Sequence, residues 1–456
     1  MNVVVLGAGL AGLCAAEELT RQGHKVIVIE KKAFPGGLAT TINKDKFKYD
    51  LGPHRFHTSN EEILSWVKNL PGIEMLELDR VSRIRLLDKY FDYPLALSNV
   101  VTTMPLHMGV GMMLSFMWEK IRSIFIKRDQ NSFEGWVLSR FGSGLYNLYL
   151  APYNKKLWGI EPCELSADWA SQRITVPSLA GLIKETIAPS KETVRSLVST
   201  FHYPKGGIGE ICNSLAQMIL GSGGDIRYSS EPFSIKRADS NWLIEFSEKT
   251  IKTDKIINTL PVTSYVELLG DLLPVKVHRA ASLLKFRALV FLTVLLDSDI
   301  EPSDHWIYTS EERYLFNRLS ISRNFDSEVS SQVVFEFSCQ KGDEIWQMSK
   351  EQLLEATIPG AEHLELFSSK MILGADVSRA AFAYPIYNVG YAKNTAIILD
   401  SLEKLADSVT CGRQGLFRYN NMDHSIEMGK YAALETLGEA SVKEHFNWDE
   451  NTWADG

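Results

Sequence analysis

The chain opens with two short runs of β-branched residues, separated by a glycine-rich turn and a helical stretch. The first run, VVVL, leads into a turn that contains Gly7, Gly9 and Gly12. The second run, KVIVI, leads directly to Glu30. Continuous apolar runs of this length, bounded by glycine, are typical of buried strands in a parallel sheet. The pattern predicts a βαβ unit with a glycine turn and an acid after its second strand.

The rest of the chain alternates between helical and strand-like blocks. RIRLLDKYFDYPL predicts a hairpin that ends at Pro94, and repeated apolar spacing predicts helices over 101–200. Four strand-like runs follow over 225–259, as in a small β-meander. FRALVFLTVLLD and VVFEFS then predict a second sheet, and the segment after 408 predicts a closing helix.

The spacing of the glycines indicates what the first unit binds. Gly7 permits a tight turn, Gly9 lets the backbone approach a pyrophosphate, and Gly12 lets the helix lie close to the sheet. The helix then offers free N–H groups and a partial positive charge to the phosphates. Glu30 can accept hydrogen bonds from a ribose diol. This context predicts a bound dinucleotide.

A second block indicates which dinucleotide is bound. Gly36 and Gly37 follow the second strand, and DLGPHRFHT comes after them over 50–58. A nicotinamide dehydrogenase has no need of this block, whereas FAD must extend its isoalloxazine ring beyond the first βαβ unit. We therefore expect FAD as the cofactor, with NAD(P)H as a possible external reductant.

These elements predict an α/β protein with a discontinuous Rossmann-like FAD-binding domain, a helical insertion and a β-sheet substrate domain. We expect the FAD-binding domain to comprise 1–100, 201–264 and 385–456. The helical domain is expected over 101–200, and the substrate-binding sheet domain over 265–384.

Composition excludes some classes of function. The net charge is −8, which argues against general nucleic-acid binding. The five cysteines are scattered and none forms a CxxC pair, so we expect no metal site and no disulfide framework. Reduced thiols favour a cytoplasmic location.

One segment suggests a further contact. Residues 104–125 are rich in methionine and aromatic residues, and Lys127 and Arg128 follow them. Four polar or charged side chains, His107, Glu119, Lys120 and Arg122, make the segment a poor spanning helix. We expect a helix packed within the helical domain, with peripheral contact to a membrane or a lipid-linked substrate as the alternative.

Several later motifs, taken in order, resemble the UDP-galactopyranose mutase group of FAD proteins. They are GPHRFHT, APYNKKLWG, LSADWASQR, YPKGGIGE and YNNMDHSIEMG, and they span nearly the whole chain. The wider superfamily includes protoporphyrinogen oxidases, amine oxidases and carotenoid desaturases. The resemblance implies a pyranose/furanose mutase that acts on a nucleotide sugar, in polysaccharide or glycan biosynthesis. In that group the N5 atom of reduced FAD attacks the anomeric carbon, and the reaction has no net redox change.

The resemblance also implies roles for particular residues. Arg173 and Arg318 match the arginines that bind the diphosphate, and Tyr384 and Tyr419 match tyrosines that hydrogen-bond the same group. The candidate catalytic residues are His54, Arg55, His57, Arg173 and Arg318. The candidate substrate-binding residues are Tyr153, Trp158, Arg173, Trp306, Arg318, Tyr384 and Tyr419. The candidate cofactor-binding residues are Gly7, Gly9, Leu10, Ala11, Gly12, Glu30, Lys31, Gly37, Leu38, His54, Arg413, Asn421, Met422, Asp423 and Ser425.

Some positions depart from this group or have ordinary structural interpretations. Arg55 stands where the mutases carry an apolar residue, so it could bind an anionic substrate or alter the flavin potential. Lys155 and Lys156 read as a solvated face. The main alternative function is an FAD-dependent oxidoreductase of the amine oxidase, protoporphyrinogen oxidase or desaturase type, which an apolar tunnel lined by 104–125 would favour. A flavin-binding scaffold without catalysis is a third hypothesis.

Overall fold

The computed structural model describes residues 1–93, 103–173 and 200–446, with the backbone alone at 106, 172 and 173. The expected helices over 174–199 and the predicted hairpin end at Pro94 lie outside these residues.

The strands of the described residues form five sheets. They are β1 (Asn2–Leu6), β2 (Lys25–Ile29), β3 (Thr41–Lys44), β4 (Phe47–Asp50), β5 (Met75–Asp79), β6 (Ser82–Leu86), β7 (Lys89–Asp92), β8 (Thr200–Pro204), β9 (Asp225–Arg227), β10 (Ser234–Ala238), β11 (Asn241–Glu245), β12 (Thr250–Thr253), β13 (Lys255–Asn258), β14 (Phe286–Leu296), β15 (Trp306–Thr309), β16 (Arg318–Ile321), β17 (Gln332–Cys339), β18 (Ile372–Pro385) and β19 (Ser408–Thr410).

Helices cover both faces of the first sheet and form a separate group after β7. They are α1 (Leu10–Arg21), α2 (Glu61–Lys68), α3 (Leu106–Phe125), α4 (Phe133–Leu145), α5 (Ala151–Trp158), α6 (Ala167–Arg173), α7 (Glu210–Gly221), α8 (Val262–Leu269), α9 (Val275–Leu283), α10 (Glu344–Gln347), α11 (Lys350–His363), α12 (Tyr391–Leu402), α13 (Gly412–Gly415), α14 (Met422–Leu437) and α15 (Val442–His445).

The first sheet is parallel and contains both predicted β-branched runs. Its strand order is β19-β13-β1-β2-β9, and every neighbouring pair is parallel. Buried residues of β1 alternate between two hydrophobic clusters, one on each face of the sheet. A central parallel strand is buried on both faces, which is why its sequence is uniformly apolar.

The second sheet is mostly antiparallel and is built around β14. Its order is β18-β14-β17-β16-β15-β6-β7, with one parallel pair between β15 and β6. All eleven residues of β14 are buried, because β17 and β18 flank it and side chains cover both of its faces.

The predicted hairpin forms, but the expected domain assignment of that region is wrong. β6 and β7 are joined through Leu87 and Asp88, both with positive φ, as in a tight two-residue hairpin. The hairpin belongs to the second sheet, since β6 pairs with β15. The part of 1–100 that contains it therefore lies outside the parallel-sheet domain.

One other expected boundary also moves, and the meander is built from other strands than predicted. The boundary at 265 falls inside α8, and α8 and α9 both pack in the hydrophobic cluster beneath the parallel sheet. Of the four runs expected in a meander, the first forms β9 at the edge of the parallel sheet and the last forms β13 near its centre. The three-stranded meander consists of β10, β11 and β12.

One buried arginine joins the helical region to the second sheet. Arg287 in β14 donates to the carbonyl oxygens of Leu157 and Lys156, at the end of α5, and to that of Ser338 in β17. The carbonyls of Lys156 and Leu157 lie in the last turn of α5, where they have no partner within the helix, so the guanidinium satisfies them. A Cβ on Gly159 would lie 2.3 Å from Arg287 Nη1, so only glycine leaves room for this contact.

A buried carboxyl group lies where β4 meets β8. Asp50 accepts hydrogen bonds from Thr41 Oγ1 at 2.6 Å, from the Tyr203 hydroxyl at 2.8 Å and from the backbone of Ile208. Burial raises the pKa of Asp50 to about 6, although these hydrogen bonds oppose the shift. A carboxyl group with a raised pKa in the folded state stabilises the fold at low pH and loses that contribution as the pH rises through its folded pKa.

We therefore predict that Asp50→Asn changes the pH dependence of stability. The wild-type free energy of unfolding should fall by up to about 3 kcal/mol relative to the variant between about pH 4 and pH 7, since each pKa unit corresponds to about 1.4 kcal/mol. Urea unfolding across this range measures the difference. Asp45→Asn, at an exposed carboxylate of the same hairpin, is the matched control. Parallel curves for wild type and Asp50→Asn would contradict the prediction.

Candidate active site

A cavity of about 1150 Å³ lies between the two sheets. One wall follows the carboxyl ends of β1, β2 and β13, where parallel sheets usually bind their ligands. The other wall comes from residues of β14, β16, β17 and β18.

Most of the predicted site residues line this cavity. The lining cofactor candidates are Gly7, Gly9, Leu10, Ala11, Glu30, Lys31, Gly37, Leu38, His54, Arg413, Asn421, Met422 and Ser425. The lining catalytic and substrate candidates are Arg55, His57, Tyr153, Trp158, Arg318, Tyr384 and Tyr419.

Four predicted residues are not among the lining residues. Trp306 is fully buried and packs against Phe201 and Phe325, so it belongs to the core. Asp423 is 7 % exposed and contacts His424 within the first turn of α14. Gly12 lies in the first turn of α1, packed against Gly7 and Val5. The side chain of Arg173 lies outside the described residues; its backbone ends α6.

The glycine turn and Glu30 have the geometry that a dinucleotide requires. Glu30 Oε2 accepts from the backbone N–H of Ala8, and its Oε1 accepts from that of Lys32, both at 2.9 Å. The carboxylate is thereby held at the end of β2, where it can still accept from a ribose diol. At the adjacent start of α1, no side chain caps the helix N-terminus at Gly9. Its free N–H groups can therefore bind phosphate oxygens.

Two glycines of the turn differ sharply in the space around them. A Cβ on Gly12 would lie 2.1 Å from the carbonyl oxygen of Gly7, so α1 packs in backbone contact with the turn. A Cβ on Gly9 would meet no atom within 4 Å and would project into the open cavity. The turn thus keeps empty the space that a pyrophosphate needs.

Arg318 forms a buried ion pair on the sheet wall. Its Nη2 donates to Glu336 Oε2 at 2.5 Å and contacts the Tyr384 hydroxyl at 3.4 Å. Burial disfavours the charge, but Glu336 and the surrounding tyrosines reverse that effect and hold the pKa of Arg318 well above its usual range. The Nε of Arg318 is buried and has no partner among the described residues. It remains available to a ligand oxygen.

A second arginine completes this cluster. The guanidinium carbon of Arg413 lies 4.2 Å from the ring centre of Tyr419 and 5.3 Å from that of Tyr384. The two tyrosine rings stack on each other, with their centres 5.4 Å apart. One Arg413 nitrogen donates to the Asn420 carbonyl, whereas its buried Nε has no partner in the described chain. The cluster presents two unused N–H donors near two phenol groups.

His54 lies close to both arginines. Burial, together with the charges of Arg318 and Arg413, lowers the pKa of His54 to about 3. The imidazole is therefore neutral at physiological pH, and its Nδ1 is buried without a hydrogen-bond partner in the part of the chain described. A neutral imidazole can accept or donate one hydrogen bond at the cavity surface without adding a charge.

Arg55 adds a third cation to the cavity wall. Its guanidinium carbon lies 5.0 Å from the ring centre of Trp306, which gives that buried tryptophan a structural role in orienting the arginine. Burial lowers the pKa of Arg55, and the electrostatic effects of Tyr308 and Tyr93 oppose this shift. No carboxylate of the described residues forms an ion pair with Arg55, in contrast to Arg318.

Aromatic residues surround the cluster, and some of them were missed by the sequence analysis. Trp158 packs edge-on against Trp169, with ring centres 4.7 Å apart, and Trp169 packs against Tyr419 in the same way. Tyr308 and Glu336 also line the cavity. Trp169 stands in the quoted ADWASQR motif, so its position offered a signal. Glu336 and Tyr308 lie in ordinary strand sequences that offered none.

The prediction that Lys155 and Lys156 are both exposed to solvent holds for Lys155 and is wrong for Lys156. Lys155 is exposed and pairs with Glu161. Lys156 instead points inward, and its ammonium group donates to the carbonyl oxygens of Thr309, Glu311 and Tyr314. It ties the end of α5 to the loop after β15.

The fold and the cavity define a protein built on a dinucleotide-binding domain. A family model for flavin containing amine oxidoreductase matches residues 10–366. The chain belongs to this family, and membership implies FAD as the cofactor.

The curated relatives and the solved structures that resemble this chain include enzymes of different activities. A probable UDP-galactopyranose mutase from Klebsiella pneumoniae is 27 % identical over 169 residues, which cover 36 % of this chain and 43 % of the relative. A 4,4'-diapophytoene desaturase (4,4'-diaponeurosporene-forming) from Staphylococcus aureus strain COL is 25 % identical over 67 % of this chain and 64 % of the relative. The chain thus spans less than two thirds of the length of either relative.

Among solved structures, reduced UDP-galactopyranose mutase superposes with a TM-score of 0.84 at 21 % identity, covering 99 % of this chain and 97 % of that one. A putative protoporphyrinogen oxidase from Exiguobacterium sp. 255-15 superposes with a TM-score of 0.74 at 14 % identity, covering 96 % and 99 %. At these identities the likeness concerns the fold.

We predict that Gly9→Ala impairs FAD binding, whereas Gly12→Ala impairs the stability of the fold. Gly9→Ala should leave the free energy of unfolding nearly unchanged but weaken FAD retention about ten-fold or more, because its methyl group enters the pyrophosphate space. Gly12→Ala should lower the free energy of unfolding by about 1–3 kcal/mol, since its methyl group meets the Gly7 backbone. Urea unfolding of the apoprotein and flavin absorbance after gel filtration separate the two effects. Equal flavin content in wild type and Gly9→Ala would contradict the assignment of the turn.

Proposed function

We propose that the chain is an FAD-dependent nucleotide-sugar pyranose/furanose mutase of polysaccharide or glycan biosynthesis. The observation that carries the proposal is the cluster of Arg318, Arg413, Tyr384 and Tyr419 on one cavity wall, next to neutral His54. A departing diphosphate needs cations and hydroxyl donors at one place, and this cluster supplies both. The fold similarity to reduced UDP-galactopyranose mutase and the match to the Klebsiella relative support the same conclusion.

The cofactor would be held by the turn and the loops around it. Glu30 would bind the ribose, the N–H groups at the start of α1 would bind the pyrophosphate, and the loop with His54 would lie beside the ring. Bound, reduced FAD supplies a nucleophile for the anomeric carbon and is not consumed.

The chain's own residues would position the substrate and exclude water. Arg318 Nε and the Tyr384 hydroxyl would hold the diphosphate before and after it separates from the sugar. Arg413, stacked on Tyr419, would keep positive charge beside it. The Trp158 and Trp169 rings, packed against Tyr419, form an apolar wall that limits the access of water to the reacting carbon. Arg173, at the end of α6, is proposed to join this set.

One feature that would favour the oxidoreductase alternative is not found among the described residues. An apolar tunnel lined by 104–125 would favour that function, yet the described residues of this segment contribute nothing to the cavity lining. The match to the desaturase covers more of the chain than the match to the mutase does. The assay below therefore also tests for oxidoreductase activity.

The direct test is an anaerobic assay. The holoprotein is reduced with dithionite and mixed with UDP- and dTDP-sugars in both pyranose and furanose forms. The products are separated by chromatography, and their masses are measured by mass spectrometry. We expect a product of unchanged mass and new retention, formed only with reduced flavin. No isomer from any sugar in either direction would overturn the mutase proposal, and substrate-dependent flavin reduction by an amine or a polyene would establish the oxidoreductase.

We predict that Tyr384→Phe lowers kcat/KM for the nucleotide sugar about 10- to 100-fold, because a hydrogen bond to a charged group contributes about 1.5–3 kcal/mol. The ring and its stacking on Tyr419 are retained. Tyr265→Phe is the matched control, since its buried hydroxyl pairs with Ser408 away from the cavity. Equal losses in the two variants would mean that Tyr384 does not act on the substrate.

We also predict that Arg55→Met weakens binding of the nucleotide sugar about ten-fold or more, because the described residues leave this cation without a counter-ion. Calorimetric titration of the oxidised holoprotein measures binding without turnover. Arg140→Met is the control, because that guanidinium stacks on Trp136 at 4.2 Å in α4 and lies outside the cavity. Unchanged affinity in Arg55→Met would exclude a role in anion binding.

A further inference from the structure

The outer face of α3 and the residue that follows it carry a continuous set of exposed apolar side chains. Ile124 is 77 % exposed, Phe125 is 80 % and Trp118 is 65 %. Nine of the 19 large hydrophobic side chains exposed in the described chain lie here: Val110, Met113, Leu114, Met117, Trp118, Ile121, Ile124, Phe125 and Ile126. We call this set the α3 face. Its spacing of three and four residues places the helical members on one side of the helix.

The packing of the helix fixes this face outward. On the opposite side, α3 approaches α4 so closely that a Cβ on Gly144 would lie 3.0 Å from the Met112 Cα. The Gly144 backbone N–H also donates to Ser115 Oγ at 3.0 Å. Glu119 is 4 % exposed and pairs with Arg128 and Arg122. Rotating α3 to bury its apolar side would break these contacts.

Within residues 106–128 the exposed charged side chains have one sign, and the exposed carboxylate of Asp129 follows them. Glu119 is the only acidic residue between 106 and 128, and it is buried in an ion pair. Lys120 and Lys127 are exposed, and Arg122 is half-exposed. The whole chain carries a net charge of −8, so a basic rim around an apolar face is a local reversal of its charge.

We propose that the α3 face is a docking surface for an anionic phospholipid bilayer, on which α3 lies parallel to the membrane plane. An apolar side rich in Trp, Phe and Ile with lysines at its edge is the composition of interfacial helices. Basic residues near an anionic surface add electrostatic attraction to the apolar contact. No helix in the described ranges is long and apolar enough to cross a membrane.

A second copy of the chain fits the charges less well. A two-fold interface would bring the same surface against itself, with its lysines and without an exposed carboxylate between 106 and 128 to pair with them. An anionic bilayer complements both the apolar face and its basic rim.

The test measures binding of the full-length holoprotein to vesicles by flotation. Phosphatidylcholine vesicles with phosphatidylglycerol are compared with phosphatidylcholine alone, at low and high salt. We expect binding to the anionic vesicles that weakens with salt. The double variant Trp118→Glu with Ile121→Glu should lose roughly ten-fold or more of that binding, and Lys120→Gln with Lys127→Gln should lose the preference for anionic lipid.

The control places the same charges on exposed apolar residues elsewhere. Val275→Glu with Leu373→Glu, at positions 84 % and 63 % exposed, should bind as wild type does. Wild-type flotation no greater than that of the Trp118 and Ile121 variant would overturn the proposal. Light scattering tests whether a second copy of the chain occupies the face instead. A wild-type dimer that does not bind vesicles, and that the Trp118 and Ile121 variant dissociates, would assign the face to a second copy. Because no step requires turnover, the result is independent of the mutase assay.

Discussion

The structure depends on backbone contacts around the first turn that no side chain can replace. α1 touches the turn at Gly12, where a Cβ would lie 2.1 Å from the Gly7 carbonyl oxygen. α14 in turn touches α1 at Gly429, where a Cβ would lie 2.2 Å from the Ala11 carbonyl oxygen. These two contacts bring the starts of both helices to the same end of the parallel sheet. Leu10 and Met422, from the two helix starts, therefore face one cavity although more than 400 residues separate them.

The sequence predicted best what depends on short-range pattern. The glycine turn, the acid at Glu30 and the loop with His54 are local motifs next to buried strands, and parallel strands bring their carboxyl ends to one edge. The placement of the glycine turn and of Glu30 at the cavity followed from that rule, whereas the loop with His54 follows β4, which pairs antiparallel with β3 outside the parallel sheet. The later motifs placed Arg318, Tyr384, Arg413 and Tyr419 only through resemblance.

What the sequence did not predict depends on contacts between distant segments. The hairpin of β6 and β7 reads correctly as a hairpin, but its place in the second sheet is set by pairing with β15, more than 200 residues later. Trp306 is an ordinary tryptophan in sequence, and only the packed structure places it in the core under Arg55. The charge balance of Arg318 rests on Glu336 in the neighbouring strand, which carries no motif.

The second sheet also has a consequence for how the chain is made. β14 presents eleven consecutive buried residues, FRALVFLTVLL, with high β-propensity and a single charge, and such a segment aggregates readily when its edges are free. Its neighbours β17 and β18 come later in the chain, the last of them ending at Pro385. During synthesis the ribosome must therefore add some ninety further residues before both edges of β14 can be covered. Throughout that interval at least one edge of β14 stays unpaired in the nascent chain, so a holding chaperone can protect the strand during this stretch of translation.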